Sequence, residues 1–457
     1  MDTLPPTAAA DPARAHPHAV SLPEALRFWL KLGFISFGGP AGQIALMHDE
    51  LVERRRWISE RRFLHALNYC MLLPGPEAQQ LATYLGWLLH RTWGGILAGV
   101  LFVLPSLFIM LALGWLYMAH GSAPAVAGVF YGIKPAVTAL VAQAAVRLGS
   151  RSLRNGWLAA IAVAAFVALF AFDVPFPAIV VAAAVLGHAG GRWRPGAFGA
   201  GGGPAAAGPA GRAATDRGAL IDDDTPAPPH AQFSWRRLRN VLAAGLGLWL
   251  LAMGGLCAVY GWSAVLVQMG WFFTKAALMT FGGAYAVLPY VYQGAVEHFH
   301  WITPAQMIDG LALGETTPGP LIMVVSFVAF VGGWTRALFG PDAPMLAGAA
   351  AAVVVTFFTF LPSFVFILLG GPFIESTHGN LRFTAPLSGI TAAVVGVIVN
   401  LAVFFAWHVF WPHGLHGGID VPSVLIGLAA AVALMRYRVG VIPVILAAGA
   451  AGFAFRL

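Results

Sequence analysis

Residues Phe28 to Pro76 read FWLKLGFISFGGPAGQIALMHDELVERRRWISERRFLHALNYCMLLPGP, and residues Phe272 to Pro320 read FFTKAALMTFGGAYAVLPYVYQGAVEHFHWITPAQMIDGLALGETTPGP. The two stretches align without a gap at an offset of 244, with 13 of 49 positions identical. Chance would give roughly three or four matches in so apolar a composition. The matches fall on residues that punctuate a backbone: Lys31 over Lys275, Phe37-Gly38-Gly39 over Phe281-Gly282-Gly283, Trp57-Ile58 over Trp301-Ile302, and Pro74-Gly75-Pro76 over Pro318-Gly319-Pro320. After a loop insertion at 334–344 the offset becomes 257, where Leu104-Pro105-Ser106 meets Leu361-Pro362-Ser363 and Gly132-Ile133 meets Gly389-Ile390. The chain is an internal duplication.

The copies sit in a chain of 457 residues that is 59% apolar and only 10% charged, against about 25% charge in soluble domains. A length that would make two or three soluble domains instead accommodates about a dozen spans of ~20 residues. The reading is an all-α polytopic membrane protein with the lipid bilayer as its surroundings. The net charge of +7 does not call for nucleic acid, because the arginines lie in short loops between apolar runs, as the positive-inside rule describes. Cys70 and Cys257 fall inside apolar runs without disulfide or metal spacing and read as small core residues. Residues 1–21 are rich in Pro and Ala and lack an apolar h-region, so they read as a disordered tail and not as a cleaved signal peptide.

The first membrane repeat spans 22–190 and the second 261–457. Between them, 191–240 is rich in Gly, Ala and Pro, with Asp222-Asp223-Asp224 and seven arginines, which predicts a flexible cytoplasmic linker. The apolar run 241–260 has no counterpart in the first repeat and is long enough to span. One unpaired span between two copies inverts the second, and the loop charges test this. The loop 47–62 holds Arg54, Arg55, Arg56, Arg61 and Arg62, whereas its equivalent 291–306 holds no Lys or Arg. Arg147, Arg151 and Arg154 have no basic counterpart in 408–420. In the other direction, Arg382 and the pair Arg436/Arg438 answer neutral stretches of the first copy near 120–124 and Asp173. Arg91 against Arg336 is the one pair that does not swap. Swapped basic loops are what inverted-topology repeats require.

The same charges place both ends of 22–47, and both ends of 62–90, on one side. Each segment is broken midway, at Gly38-Gly39-Pro40 and at Pro74-Gly75-Pro76, because Pro lacks an N–H and Gly tolerates non-helical torsions. The pieces are about 12–15 residues, or about 18–22 Å, short of a ~30 Å hydrocarbon core. The expectation is two broken re-entrant helical hairpins per repeat, followed by about four spanning helices; a Pro-kinked full span is the alternative. Helices that begin just past Gly39, Gly75, Gly283 and Gly319 aim N–H groups and partial positive charge at the tips, an anion-binding arrangement of the kind transporters build at mid-membrane from discontinuous helices.

The candidate substrate-binding residues are therefore Gly38, Gly39, Gly75, Gly282, Gly283 and Gly319, with Lys31 and Lys275 six or seven residues before the glycine pairs. Ser36, Thr280, Gln79, Gln80, Thr316 and Thr317 can donate to an oxyanion, although each can equally satisfy local backbone. Glu77 and Glu315 flank the Pro-Gly-Pro breaks and are candidates for proton coupling or for neutralising a helix start. Lys134, beside Pro135 and replaced by Thr391 in the second copy, is a candidate pathway cation. His298/His300 and His408/His413/His416 read as interfacial, not metal-binding, and no metal or cofactor is expected. Neither H-E-x-x-H nor G-x-S-x-G occurs, so an intramembrane enzyme is not indicated.

Phe37-Gly38-Gly39-Pro40, Trp57-Ile58-Ser59-Glu60-Arg61-Arg62, Leu73-Pro74-Gly75-Pro76-Glu77-Ala78-Gln79-Gln80, Thr280-Phe281-Gly282-Gly283 and Thr317-Pro318-Gly319-Pro320 together resemble the two-domain chromate ion transporter family. The resemblance runs from about Leu22 to Phe455 and omits the linker and the 334–344 insertion. It implies a secondary transporter that exports chromate across the bacterial inner membrane and confers chromate resistance, with sulfate as a competitor. A carrier of sulfate or another oxyanion, or an anion channel of the same fold, is the alternative. The residues leave a homodimer open.

Overall fold

A computed structural model describes residues 19–121, 123–198, 219–222, 225, 228–377, 384–412, 414 and 418–456. The first repeat opens with α1 (Leu22–Ile35), whose N-cap Ser21 accepts the N–H of Glu24. α1 ends where Gly38 and Gly39 take φ of 87° and 70°, a region that costs other L residues roughly 1–2 kcal/mol. α2 (Gly39–His48) restarts there and continues into a π-helical turn, Asp49–Arg54. α3 (Glu60–Leu72) and α4 (Glu77–His120) flank the Pro-Gly-Pro break. α4 is not a single rod. At Arg91 φ is 57°, and a carbon added to Gly99 would lie 2.3 Å from Thr83 Oγ1. Residues sixteen apart in a straight helix stand about 24 Å apart, so the arms 77–89 and 92–120 fold back side by side. α5 (Pro124–Ser152), α6 (Gly156–Phe172), α7 (Phe176–Trp193) and the short α8 (Pro195–Phe198) complete the repeat.

α9 (Trp235–Tyr260) stands between the copies. The second repeat runs α10 (Val265–Leu278), α11 (Ala284–Tyr292) with its own π-helical turn Gln293–His298, α12 (Pro304–Thr316), a 3₁₀ turn Leu321–Met323 into α13 (Val324–Thr335), then α14 (Pro344–Thr377), α15 (Thr384–Phe410), α16 (Val421–Met435) and α17 (Val441–Arg456). The duplication reaches individual torsions. Both π turns sit at the 244 offset, and φ is 52° at Arg56 against 51° at His300, 87° at Gly38 against 81° at Gly282, and 131° at Gly75 against 99° at Gly319. Phe28 meets Trp57 at 5.2 Å as Phe272 meets Trp301 at 5.7 Å. The offset lengthens to 257 because the reversal at His90–Arg91 is replaced by the loop 336–343 between α13 and α14.

Among the described residues, five helices are long and apolar enough to cross a membrane. The molecule is apolar outward as well as inward: Phe108, Phe170 and Leu251 are 62%, 61% and 74% exposed, and α9 buries only Met253. So large an apolar exterior, with backbone hydrogen bonds closed inside helices, is that of an α-helical membrane protein. α6, α16 and α17 have 17, 15 and 16 residues, or about 22–26 Å.

The two broken segments of the first repeat turn back on themselves. Arg55, just past α2, lies 3.6 Å from Glu24 at the start of α1. Arg62 at the start of α3 and Tyr84 near the end of the 77–89 arm both reach Glu375, at 3.5 and 2.5 Å. The tips then interlock across the repeats: Gly75 N–H donates to Thr280 O and Gly319 N–H donates to Ser36 O, both at 2.8 Å. Ser36 and Thr280 are equivalent residues, so the exchange is reciprocal, as in an isologous contact.

Against the expectation of a linker loose over 191–240, its last part is docked. Leu220 and Ile221 donate to Arg56 O and Trp57 O, Ser59 N–H returns a bond to Ile221 O at 3.0 Å, and Arg62 donates to Thr225 O. The non-helical backbone of the five-arginine loop offers these groups unpaired, and Ile221, only 7% exposed, fills an apolar gap beneath. Residues 199–218, Asp223 and Asp224 lie outside the described residues, as do His413 and His416. The extra helix starts at Trp235, earlier than the expected 241.

Candidate anion site

A cavity of about 980 Å³ runs inward from the C-terminal ends of α5 and α7 to the glycine tips. Its inner end is formed by Gly38-Gly39-Pro40 and by Phe281-Gly282-Gly283, one tip from each repeat, with Glu77, Glu315 and Tyr285 beside them. Arg147, Arg151, Arg154 and Arg194 line its outer part. Four guanidinium groups bordering a concave space focus a positive potential into it. Arg154 Nε caps Arg151 O at 3.2 Å, and Arg194 lies over the Trp157 ring at 5.6 Å.

The helices that start around the tips behave as the sequence predicts. α2 begins at Gly39, α4 at Glu77, α11 at Ala284 and the 3₁₀ turn at Leu321, and none of the four N-cap residues supplies a side-chain cap. First-turn N–H groups lack intrahelical partners, so α2 and α11 turn donors and partial positive charge toward the cavity. Gly39 and Gly282 have no atom within 4 Å of the place a Cβ would occupy, and at Gly283 only Glu77 Oε1 comes near, at 3.9 Å. Tyr285 donates its hydroxyl to Glu315, which is 6% exposed and feels the charge of Arg147.

Of the residues singled out in the sequence, the cavity brings together Gly38, Gly39, Gly282, Gly283, Glu77 and Glu315. Gly75 and Gly319 lie elsewhere, their N–H groups committed to the other repeat and their missing side chains leaving room for Ser363 and Ser106. Ser36 is fully buried, its hydroxyl without a partner among the described residues, and its carbonyl accepts from Gly319 N–H and Gln43 Nε2. Thr280 bonds Ala276 O at 2.7 Å, Thr316 bonds Ala312 O, and Thr317 bonds Gly314 O against Met110. Gln79 donates to Thr83 and Gln80 to Pro74 O, each leaving a buried amide oxygen without a partner among the described residues. These groups surround the tips without lining the cavity.

The two paired lysines are not near it. Lys31 is exposed in a shallow groove with Arg27 and Arg55, and Lys275 is exposed with its Nζ 5.8 Å from the Trp271 ring. Both stems lie on the outer surface, from which a lysine reaches the interface by snorkelling. Lys134 is no free cation: its Nζ sits 3.4 Å from Asp309 Oδ2, and Tyr117 donates to the same oxygen at 2.9 Å. Asp309, Tyr117 and Tyr285 escape a sequence reading because nothing local pairs residues so far apart. The arginines at the end of α5 are visible in the sequence as topology charges; Arg147 and Arg151, four apart, share one helical face, and Arg154 follows just past the helix end.

A family profile described as chromate transporter matches residues 23–188 and 267–453, which are the two structural repeats without the linker and α9. A chromate transport protein of Pseudomonas aeruginosa is 33% identical over 457 residues, covering 96% of this chain and 94% of that one. A chromate transport protein of Cupriavidus metallidurans is 30% identical over 450 residues, covering 98% and 96%. A probable chromate transport protein of Synechococcus elongatus is 29% identical over 421 residues, covering 91% and 90%. No solved structure matches the chain. With both repeats matched and relatives of like length throughout, the chain is a multi-pass membrane protein that belongs to the chromate transporter family.

Proposed function

We propose that this protein exports chromate from the cytoplasm as a secondary transporter, with two inverted-topology repeats whose broken segments are re-entrant hairpins in the inner membrane. The observation that carries this reading is one continuous cavity joining the Gly38-Gly39 and Gly282-Gly283 tips to four arginines. Its outer end is bordered by the C-terminal end of α5 and the residues just past it, where Arg147, Arg151 and Arg154 belong on the cytoplasmic side under the positive-inside rule. The cavity therefore faces the compartment from which an exported anion is taken. Backbone N–H groups at the starts of α2 and α11 bind the oxyanion, and Gly38, Gly39, Gly282 and Gly283 let it approach them. Glu77 and Glu315 stand beside the tips, where a proton on either would ease the approach of a dianion; any proton exchange enters there, as an addition to export and not a requirement. The relatives named for chromate support the substrate; sulfate has the same charge and tetrahedral oxygen set and competes.

Labelled chromate and labelled sulfate, offered separately to purified protein in proteoliposomes, test the substrate. Chromate is expected to move and sulfate to inhibit it at higher concentration. Sulfate transport with chromate as the weaker ligand would make the protein a sulfate carrier instead. Rapid flux of both anions that does not saturate would make it a channel.

A further inference from the structure

The duplication gives the cavity residues that lie within the repeats equivalents on the opposite side, and there packed side chains take the place of the open space; Trp193, Arg194, Gly196 and Ala197, which follow the first repeat, have no equivalent. Where α5 turns Arg147, Leu148 and Arg151 to the cavity, α15 carries Phe404, Phe405 and His408 at the 257 offset. Phe405 is fully buried, and the Phe404 ring lies 3.9 Å from His408 and 4.3 Å from Tyr292. Phe176, which begins α7 as cavity-lining Val441 begins α17, is also fully buried. Thr391 lines the cavity, and its equivalent is Lys134.

Lys134 and Asp309 join α5 of one repeat to α12 of the other. The residues equivalent to Asp309 and Lys134 are His65 and Thr391; Thr391, which carries no charge, bonds its own helix at Leu387 O. The ion pair is thus present on the closed side and missing on the open one. It is also incompletely satisfied: Asp309 is 3% exposed and its Oδ1 has no partner among the described residues. A buried ion pair is a poor source of stability and a good device for fixing one of two arrangements.

We infer that Lys134 and Asp309, with Tyr117, form the gate of a second vestibule, the two-fold image of the observed cavity, through which the anion leaves. When the pair parts and the aromatic plug of Phe404, His408 and Tyr292 swings aside, Lys134 becomes the cation of the exit, an oxyanion-binding group outside the glycine tips. Inverted repeats exchange conformations in this manner, one side opening as the other closes. The inference rests on the inverted arrangement proposed above.

The test uses the full chain with Cys70 and Cys257 replaced. Ala144→Cys reports the open cavity, and its image Leu401→Cys, at a position 3% exposed, reports the closed side. A charged, membrane-impermeant maleimide is added to inside-out vesicles for the first and to spheroplasts for the second. Leu401→Cys is expected to react at least tenfold more slowly than Ala144→Cys. Asp309→Asn, and separately Lys134→Met, should raise the Leu401→Cys rate severalfold and lower the Ala144→Cys rate by a similar factor. The exchanged pair Lys134→Asp/Asp309→Lys should return both. Rates that stay unchanged in both single variants, or rise together as in a loosened fold, would overturn the gate. Labelling is read without chromate, so failure to transport chromate with reciprocal labelling intact would count against the substrate and not against the gate.

Discussion

Gly319→Val is expected to abolish transport by preventing the fold from closing, whereas Gly283→Val should abolish transport in a protein that still inserts and folds. A Cβ on Gly319 would sit 2.6 Å from Ser106 Cβ, and φ there is 99°. Backbone strain of about 1–3 kcal/mol adds to overpacking of about 1–3 kcal/mol, against a total stability of order 5–15 kcal/mol. The tip that donates to Ser36 O cannot then seat. At Gly283 φ is 94° but only Glu77 Oε1 comes within 4 Å, at 3.9 Å, so strain alone opposes folding while the valine stands where the anion must reach the start of α11. Gly75→Val, facing Ser363 Oγ at 2.4 Å, should resemble Gly319→Val. Size-exclusion profiles and thermal melts in detergent, beside transport, separate the two outcomes. A Gly319→Val protein as stable as the Gly283→Val protein would contradict the interlock, and wild-type transport by Gly283→Val would remove that tip from the site.

The second large effect belongs to the cavity's arginines. Replacing Arg147, Arg151 and Arg154 together with Gln should lower transport at sub-saturating chromate by about tenfold or more, the scale of electrostatic steering of an anion into a positively charged cleft. The maximal rate should change less, because these side chains are exposed and border the outer part of the cavity. Raising salt should slow the parent protein and leave the variant nearly unaffected, since exposed charges are screened over about 10 Å at 0.1 M. Replacement by Lys should preserve most of the rate. An unchanged KM with unchanged salt dependence would show that the anion does not pass these residues.

The backbone of this protein is legible in its sequence because its breaks are made by residues with no alternative. Gly38-Gly39-Pro40 and Pro74-Gly75-Pro76, with glycines at positive φ, break their helices where the lone Pro105 and Pro135 are carried inside α4 and α5, and the repetition of these breaks 244 residues later locates the second set. The reversal of α4 at His90–Arg91 contains neither Gly nor Pro, yet the loop charges place a segment end there. Side-chain direction is less legible. α2, α5 and α6 are apolar nearly all round, so periodicity does not say which face meets lipid and which meets the other repeat. Lys31 and Lys275 share the register of the tips but lie on the outer surface. Gly75 and Gly319 look like ligand-binding glycines, but their roles are set by contacts with Ser363, Thr280, Ser106 and Ser36 in the other copy. Such pairings arise only when two distant halves meet.

The proposed export needs no coupling ion. A dianion leaving a negative interior gains about 2.3 kcal/mol per charge per 100 mV, roughly 4.6 kcal/mol for two charges, enough for an outward gradient of order 10³ by the rule of 1.4 kcal/mol per tenfold. Chromate flux in vesicles of defined orientation, at equal pH on both sides and with the membrane potential clamped, tests this most directly. Chromate should accumulate on the positive side, reverse when the potential is reversed, and slow when sulfate is added. Flux that ignores the potential and follows only an imposed pH gradient would contradict electrogenic export and assign the driving force to protons at Glu77 and Glu315.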